Sequence, residues 1–204
     1  MSTTREADAF PPIPALLAVP TAPHALAAEA RRIHVESVRY WSGYGTEAFF
    51  RRPAPGVWSP ADQVRHLTRA IRTVNQGLVL PRPALLVLFG WSRRPSRSFE
   101  ALVANYKAAL AGGGRAGRFT PRAVEMTEQT AIGRERIMAH HGVAIQAFAN
   151  ALERWSDRAL DRYRLPHPLL GKLTLREMAY FTLLHNVHHV RVAERRRIGE
   201  TGVA

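Results

Sequence analysis

The stretch Thr174-Leu-Arg-Glu177-Met-Ala-Tyr-Phe-Thr-Leu-Leu-His185-Asn-Val-His188-His189-Val190 decides how the chain is read. It opens with Thr174 and Glu177 at Thr-x-x-Glu spacing, the reciprocal capping box that starts a helix. It continues without Gly or Pro to Arg195-Arg196-Arg197, where cations suit the negative end of the helix dipole, and stops near Gly199. On such a helix Met178, Phe181, His185, His189 and Val192 share one face. The rest is also apolar (Leu183, Leu184, Val187, Val190), as expected of a helix buried on two sides. His185 and His189 therefore stack one turn apart and point inward. Two such imidazoles can hold one transition metal when a third ligand arrives from another helix.

The candidate for that third ligand is His66, in Trp58-Ser-Pro-Ala-Asp-Gln-Val-Arg-His66-Leu67. Ser59 as N-cap, Pro60 at the first helical position and Asp62 in the first turn are three separate start signals. Val64, Leu67, Ile71, Val74 and Leu78 follow at steps of three and four, the seam of a bundle. His66 lies off the centre of that seam. Its own face carries Ala70, Thr73 and Gly77, small residues that let a neighbouring helix come close. Trp58, just before the cap, is placed to staple the helix entry by packing on a residue one turn in.

Outward from these two helices the rest of the chain reads as further helices. Residues 25 to about 44 repeat Leu26, Ala30, Ile33, Ser37 and Tyr40 or Trp41 at helical spacing, and a Gly- and Pro-rich loop through Gly56 follows. Pro81 ends the helix of His66. Residues 81 to 98 form a long connection with room for a short helix over Ala84 to Trp91. Another short helix spans Phe99 to Ala111 and is closed by Gly112-Gly113-Gly114, which lacks the Lys-Ser/Thr ending of a phosphate loop. A long helix is predicted from about Pro121 or Thr127 to Trp155, started by Thr120-Pro121, with Ile137, His141, Ala144, Phe148 and Trp155 on its core face. Residues 156 to 173 read as a connection, with no strand pattern. The expected fold is all-α: a four-helix bundle with a long middle connection carrying short helices. The expected organisation is a Pro-rich extended tail over 1–23, a single bundle domain over 24–198 and a C-terminal tail over 199–204.

Composition sets the outer bounds. The chain has 204 residues, 46% of them apolar, enough for one domain with a substantial core. It has no Cys, which excludes disulfides, thiolate metal sites and a cysteine nucleophile, so any thiol chemistry needs a small-molecule thiol. Arg5, Glu6, Asp8 and the following prolines do not make a secretory signal, and the apolar run from Leu78 to Trp91 is too short and too broken to cross a bilayer. A cytoplasmic protein with no membrane partner is the expectation. The formal net charge is +13, and of 29 basic residues only Lys107 and Lys172 are lysines. Because the arginines are scattered rather than gathered in a stripe, they read as solvated surface, and a nucleic-acid partner is not expected.

Neutral imidazoles suit zinc, nickel, copper or iron. Three of them leave a coordination position open, as catalytic metals require, and an open cationic metal lowers the pKa of a bound water or thiol. His188, three residues after His185, competes with His189 for the ligand position. His141, on the core face of its helix, is a fourth ligand, a base beside the metal or, the preferred reading, a packed core residue. His24, His34, His140 and His167 read as peripheral. Arg65, Arg69 and Arg191 are candidates to bind a substrate carboxylate near the mouth of the site. The reading from a different class is a non-catalytic basic helical binding or stress-response protein whose histidines are structural.

The two histidine segments together resemble the DinB/YfiT-like superfamily of metalloenzymes, the DNA-damage-inducible DinB family that is unrelated to the polymerase sharing the name. The family pattern is a Trp-Ser/Thr helix start, a His-Leu two turns in, and a distant His-x-x-x-His in the last helix. Trp58-Ser59, His66-Leu67 and His185-x-x-x-His189 supply it in order. The resemblance implies a four-helix bundle with a divalent metal, zinc or nickel foremost, held by His66, His185 and His189. It further implies a thiol-dependent S-transferase or isomerase using a low-molecular-weight thiol such as bacillithiol or mycothiol, or a hydrolase, acting on a small-molecule substrate, and a homodimer. Val190-Arg191-Val192, where Gly or Gln often follows the histidine pair, and the longer middle connection depart from the usual pattern.

Overall fold

The structure is a computed structural model describing residues 10–16 and 19–199. Four long helices make the bundle: α1 (Pro23–Ser42), α3 (Pro60–Leu78), α6 (Ala131–Leu152) and α8 (Leu175–Arg197). Between them lie the short helices α2 (Thr46–Phe50), α4 (Arg82–Phe89), α5 (Phe99–Ala111) and α7 (Asp157–Arg162), and an antiparallel hairpin of β1 (Arg164–His167) and β2 (Gly171–Thr174). The long helices form a closed ring in which α6 packs on α1 and α3, and α8 packs on the same two from the other side.

The predicted stripes are what fill the middle. Leu26, Ala30, Ile33, Ser37, Tyr40 and Trp41 of α1, Val64, Leu67, Ile71 and Leu78 of α3, and Ala144, Phe148 and Leu152 of α6 are all buried. α8 is buried almost all round, as its apolar composition requires. Both of its expected caps form. Thr174 Oγ1 accepts from Glu177 N–H at 3.1 Å, and Glu177 Oε2 accepts from Thr174 N–H at 3.0 Å. Ser59 and Asp62 make the same reciprocal pair at the start of α3, both bonds at 3.1 Å. Glu177 has a second task. Arg94 and Arg97 of the long connection donate to it, from 2.6 to 3.3 Å, and so pin that connection to the start of α8. Burial alone would raise the Glu177 pKa, but these hydrogen bonds outweigh it and bring it down to about 2.

The structure departs from expectation in four places. The segment 156–173 contains α7 and most of the hairpin instead of an irregular connection. Leu165 opposite Leu173 gives the hairpin its buried face, and Gly171 takes the positive φ of 71° that its turn needs. Strands of four residues with Pro166 inside carry too little alternation to be recognised. The loop after α1 contains α2, whose Phe49 and Phe50 are buried. Helix α6 starts at Thr130, whose Oγ1 accepts from Gly133 N–H at 3.0 Å, and not at Thr120-Pro121. The residues from 117 to 128 instead make two 3₁₀ turns, Gly117–Phe119 and Met126–Glu128. Finally, the tail does not stand off as far as it is described. Phe10 packs edge-on against Tyr40 and Tyr44 at 5.1 and 5.0 Å, and Arg32 donates to Ala15 O at 2.6 Å. Residues 1–9 of that tail, and all of the expected C-terminal tail beyond Gly199, lie outside the described residues. No helix among the described residues is long and apolar enough to cross a membrane.

Candidate metal centre

α3 and α8 run antiparallel, so the first turns of α3 meet the later turns of α8. Trp58 O accepts a long 3.4 Å bond from Arg196 at one end, and Gly77 faces Leu165 beside the start of α8 at the other. This places His66 opposite His185 and His189. All three are buried, and one nitrogen from each falls within 4.8 Å of the other two. His66 Nε2 is 3.1 Å from His185 Nε2, and His189 Nε2 is 2.9 Å from the same atom.

The far side of two of these rings fixes what the converging nitrogens are. His66 Nδ1 lies 3.0 Å from the backbone carbonyl of Phe119, and His189 Nδ1 hydrogen-bonds the side-chain oxygen of Gln63. A carbonyl oxygen only accepts, so both Nδ1 atoms carry the proton and both Nε2 atoms present lone pairs. Burial lowers the pKa of all three, with the other imidazoles adding to it at His185 and His189, so none is charged at neutral pH. His185 Nε2 has at most one proton to offer two lone pairs. Three inward lone pairs at this spacing suit a cation: a tetrahedral zinc with bonds of about 2.0–2.1 Å sets its ligand nitrogens about 3.3 Å apart. The donor set fits a divalent transition metal, with Gln63 and Phe119 O as the outer groups that orient the ligands.

The cluster opens on a cavity of about 680 Å³. The predicted small face of α3 lines it: Ala70, Thr73 and Gly77 front a space, not an adjacent helix. Gly77 is required where the wall closes, since a Cβ there would stand 2.5 Å from the Leu165 side chain. Trp58 packs on His66 at 4.9 Å and stacks on His189 at 6.0 Å, so the residue expected to staple the helix instead roofs the cluster. Phe181 lies against His185 at 4.9 Å from below.

The remaining histidines sort by geometry. His188 lines the cavity and faces Tyr106 at 5.5 Å, but contributes no nitrogen to the cluster. His141 lies apart, fully buried and edge-on to His34 at 5.3 Å. His34 and His167, read as peripheral, are not. His34 closes the His141 pocket, and His167 sits on Phe181 at 4.2 Å at the apolar end of the cavity. The hairpin turn holds it there, for His167 Nδ1 accepts from the N–H groups of Leu169 and Leu170 at 3.2 and 3.1 Å. His24 and His140 are exposed. The mouth arginines also differ from expectation: Arg115, Arg118 and Arg196 line the cavity, whereas Arg65, Arg69 and Arg191 do not. Arg65 is turned away to donate to Arg122 O at 2.5 Å.

The fold is thus a four-helix bundle in which three convergent neutral imidazoles, able to hold a metal ion, face a largely apolar cavity. The family model of the DinB superfamily matches residues 30–193, and the chain belongs to that superfamily. That span contains all three histidines and both outer groups. No match to the chain was found among curated proteins or among solved structures.

Proposed function

We propose that the protein is a metal-dependent enzyme in which His66, His185 and His189 hold a divalent metal, zinc or nickel, with a coordination position open to the cavity. The observation that carries this reading is the pair of Nδ1–H donors tied to Phe119 O and Gln63, which turns two Nε2 lone pairs onto a third imidazole at about hydrogen-bond distance. Bound there, the metal would act as a Lewis acid that lowers the pKa of a coordinated water or small-molecule thiol. The chain's own residues do the rest. Gln63 and the Phe119 carbonyl hold the imidazole tautomers. Trp58 and Phe181 wall off bulk water on two sides and sharpen the electrostatics of the site. No Asp or Glu lines the cavity among the described residues, so no side-chain carboxylate serves as a base there. This supports a reaction whose nucleophile is generated at the metal: transfer to a low-molecular-weight thiol, or hydrolysis of a small molecule.

The test is elemental analysis of the untagged protein beside a variant with His66, His185 and His189 all replaced by Ala. Near-stoichiometric metal in the wild type alone is expected. Wild-type protein that stays empty after reconstitution with zinc, nickel and iron would overturn the proposal.

A further inference from the structure

We propose that the cavity binds an amphipathic organic anion, with its charged head at Arg196 and its apolar body in the slot beyond the histidine cluster. This takes the cavity to be the substrate site, as the proposed function does. It rests, however, on the cavity's walls and arginines, not on the metal.

The face of α8 that lines the cavity changes character along its length. It runs Met178, Phe181, His185, His189, Val192, Arg196, about 27 Å at 1.5 Å per residue. The antiparallel face of α3 repeats the order in reverse, from Gln63 and His66 to Val74 and Gly77, with Leu80 just past its end. The end near Met178 is closed by Leu165, Phe89 and Leu110 and offers mostly carbon surface, with Thr73, Gln76, Tyr106 and His167 as its polar side chains. The other end carries Arg196. Arg115 and Arg118 also line the cavity, and no carboxylate among the described residues does.

Most of the chain's carboxylates are engaged elsewhere. Arg31, Arg32, Arg52, Arg94, Arg97, Arg136, Arg176 and Arg197 all hold Asp or Glu partners. Arg196 has none among the described residues. Its one hydrogen bond there is the 3.4 Å contact to Trp58 O, near the limit of what counts as one. It is half-buried on a rigid helix, and burial lowers its pKa, the mark of a cation short of a counter-charge. It also borders a second hollow beside Phe10 and Tyr44, so its guanidinium stands in the partition between two spaces. Arg115 and Arg118 are exposed on the connection, where solvent screens them. A planar guanidinium short of a partner at the end of an apolar slot recognises a carboxylate or a similar oxyanion. A ligand spanning the slot places its middle, not its head, over the three histidines.

The test uses decanoate, decanol and decyltrimethylammonium as probes of equal chain length. Each displaces the neutral fluorophore N-phenyl-1-naphthylamine from the full-length protein at low ionic strength. Decanoate is expected to act at about one-tenth the concentration of decanol or less, since a charge-assisted hydrogen bond is worth at least about 1.5 kcal/mol. The cationic probe should act last. Arg196→Gln should bring decanoate level with decanol, and Arg115→Gln with Arg118→Gln should leave most of the preference. Val74→Trp, which fills the slot, should weaken all three probes together. Equal action of decanoate and decanol on the wild type overturns the proposal, as does a preference that survives Arg196→Gln. The same titration on His185→Ala separates this from the metal reading. A preference kept there supports the arginine site whatever the metal analysis shows. A preference lost there but kept in Arg196→Gln puts the head on the metal and overturns the assignment to Arg196.

Discussion

Two groups of buried or half-buried histidines sit in one bundle and share almost nothing beyond their removal from water. His66, His185 and His189 turn their nitrogens toward a common point beside a cavity, with two rings braced from behind by carbonyl oxygens. His34 and His141 meet edge to ring between α1 and α6, and neither lines the cavity beside the trio. Among the described residues, His34 Nδ1 and His141 Nε2 have no hydrogen-bond partner at all. Both groups have lowered pKa values from burial. A depressed pKa therefore does not mark the site. Convergence on one point and access to the cavity do, and the second pair has neither: His141 Nδ1 meets Thr68 Oγ1 at 3.3 Å instead.

The sharpest way to break this contrast is to remove one residue from each group and read metal content. His185→Ala should reduce bound metal from near one equivalent to near zero, with the far-ultraviolet circular dichroism unchanged. His141→Leu should retain the full equivalent. Metal lost from both variants would mean that the two groups are one system. A smaller effect is expected one layer out. Gln63→Leu takes the acceptor away from His189 Nδ1 while leaving the ring in place, and losses from such outer groups run at about 10–100-fold in metal affinity. A competition titration against a chelator reads this directly. An unchanged affinity would show that Trp58 and the packing of α8 orient the ring without Gln63.

The same contrast explains what could be read from the residues alone. The helices with strong periodicity and chemical caps were legible, because Thr174, Glu177, Ser59 and Asp62 bond locally and their partners are three residues away. The histidine trio was legible for a related reason: His185 and His189 share a face by helical geometry, and His66 lies on the one other helix with a comparable start. Gln63 was within reach, since it precedes His66 by three residues and so faces the same way, but a Gln carries no ligand signal of its own. Phe119 O was not. A backbone carbonyl is identical at every position, and this one arrives because Gly117–Phe119 forms a 3₁₀ turn ahead of the expected start of the long helix, where no element was expected. His167 was missed because the hairpin that delivers it is four residues deep with a proline in one strand. The cavity was hidden in the small face of α3, where Ala70, Thr73 and Gly77 describe a wall as well as a helix contact.

The smallest of these effects is thermodynamic and belongs to the sealed pair. Burial, aided by His34, pushes His141 down to about 3, against 6.5 for an unburied histidine, and Asn186 opposes this only weakly. In the folded protein His141 thus stays neutral to about pH 3, while in the unfolded chain it takes up a proton below about 6.5. The unfolded state binds more protons across that window, so stability is complete above about pH 6.5 and falls as the pH drops toward 3. His167, held down to about 4 by burial against Phe181, adds the same sign over a narrower range. Of these two, His141→Leu removes the larger contribution. At pH 7 it should change the unfolding free energy by no more than about 1 kcal/mol, because the lost ring had one unpaired nitrogen and Thr68 keeps its own bond to Val64 O at 2.8 Å. At pH 5 the variant should be the more stable of the two. Urea unfolding at both values, with metal removed from both proteins so that the protonation of His66, His185 and His189 is common to the two and cancels, measures the difference. Parallel losses on acidification in both proteins would mean that His141 is paired in solution, and that the two histidine groups are more alike than their geometry shows.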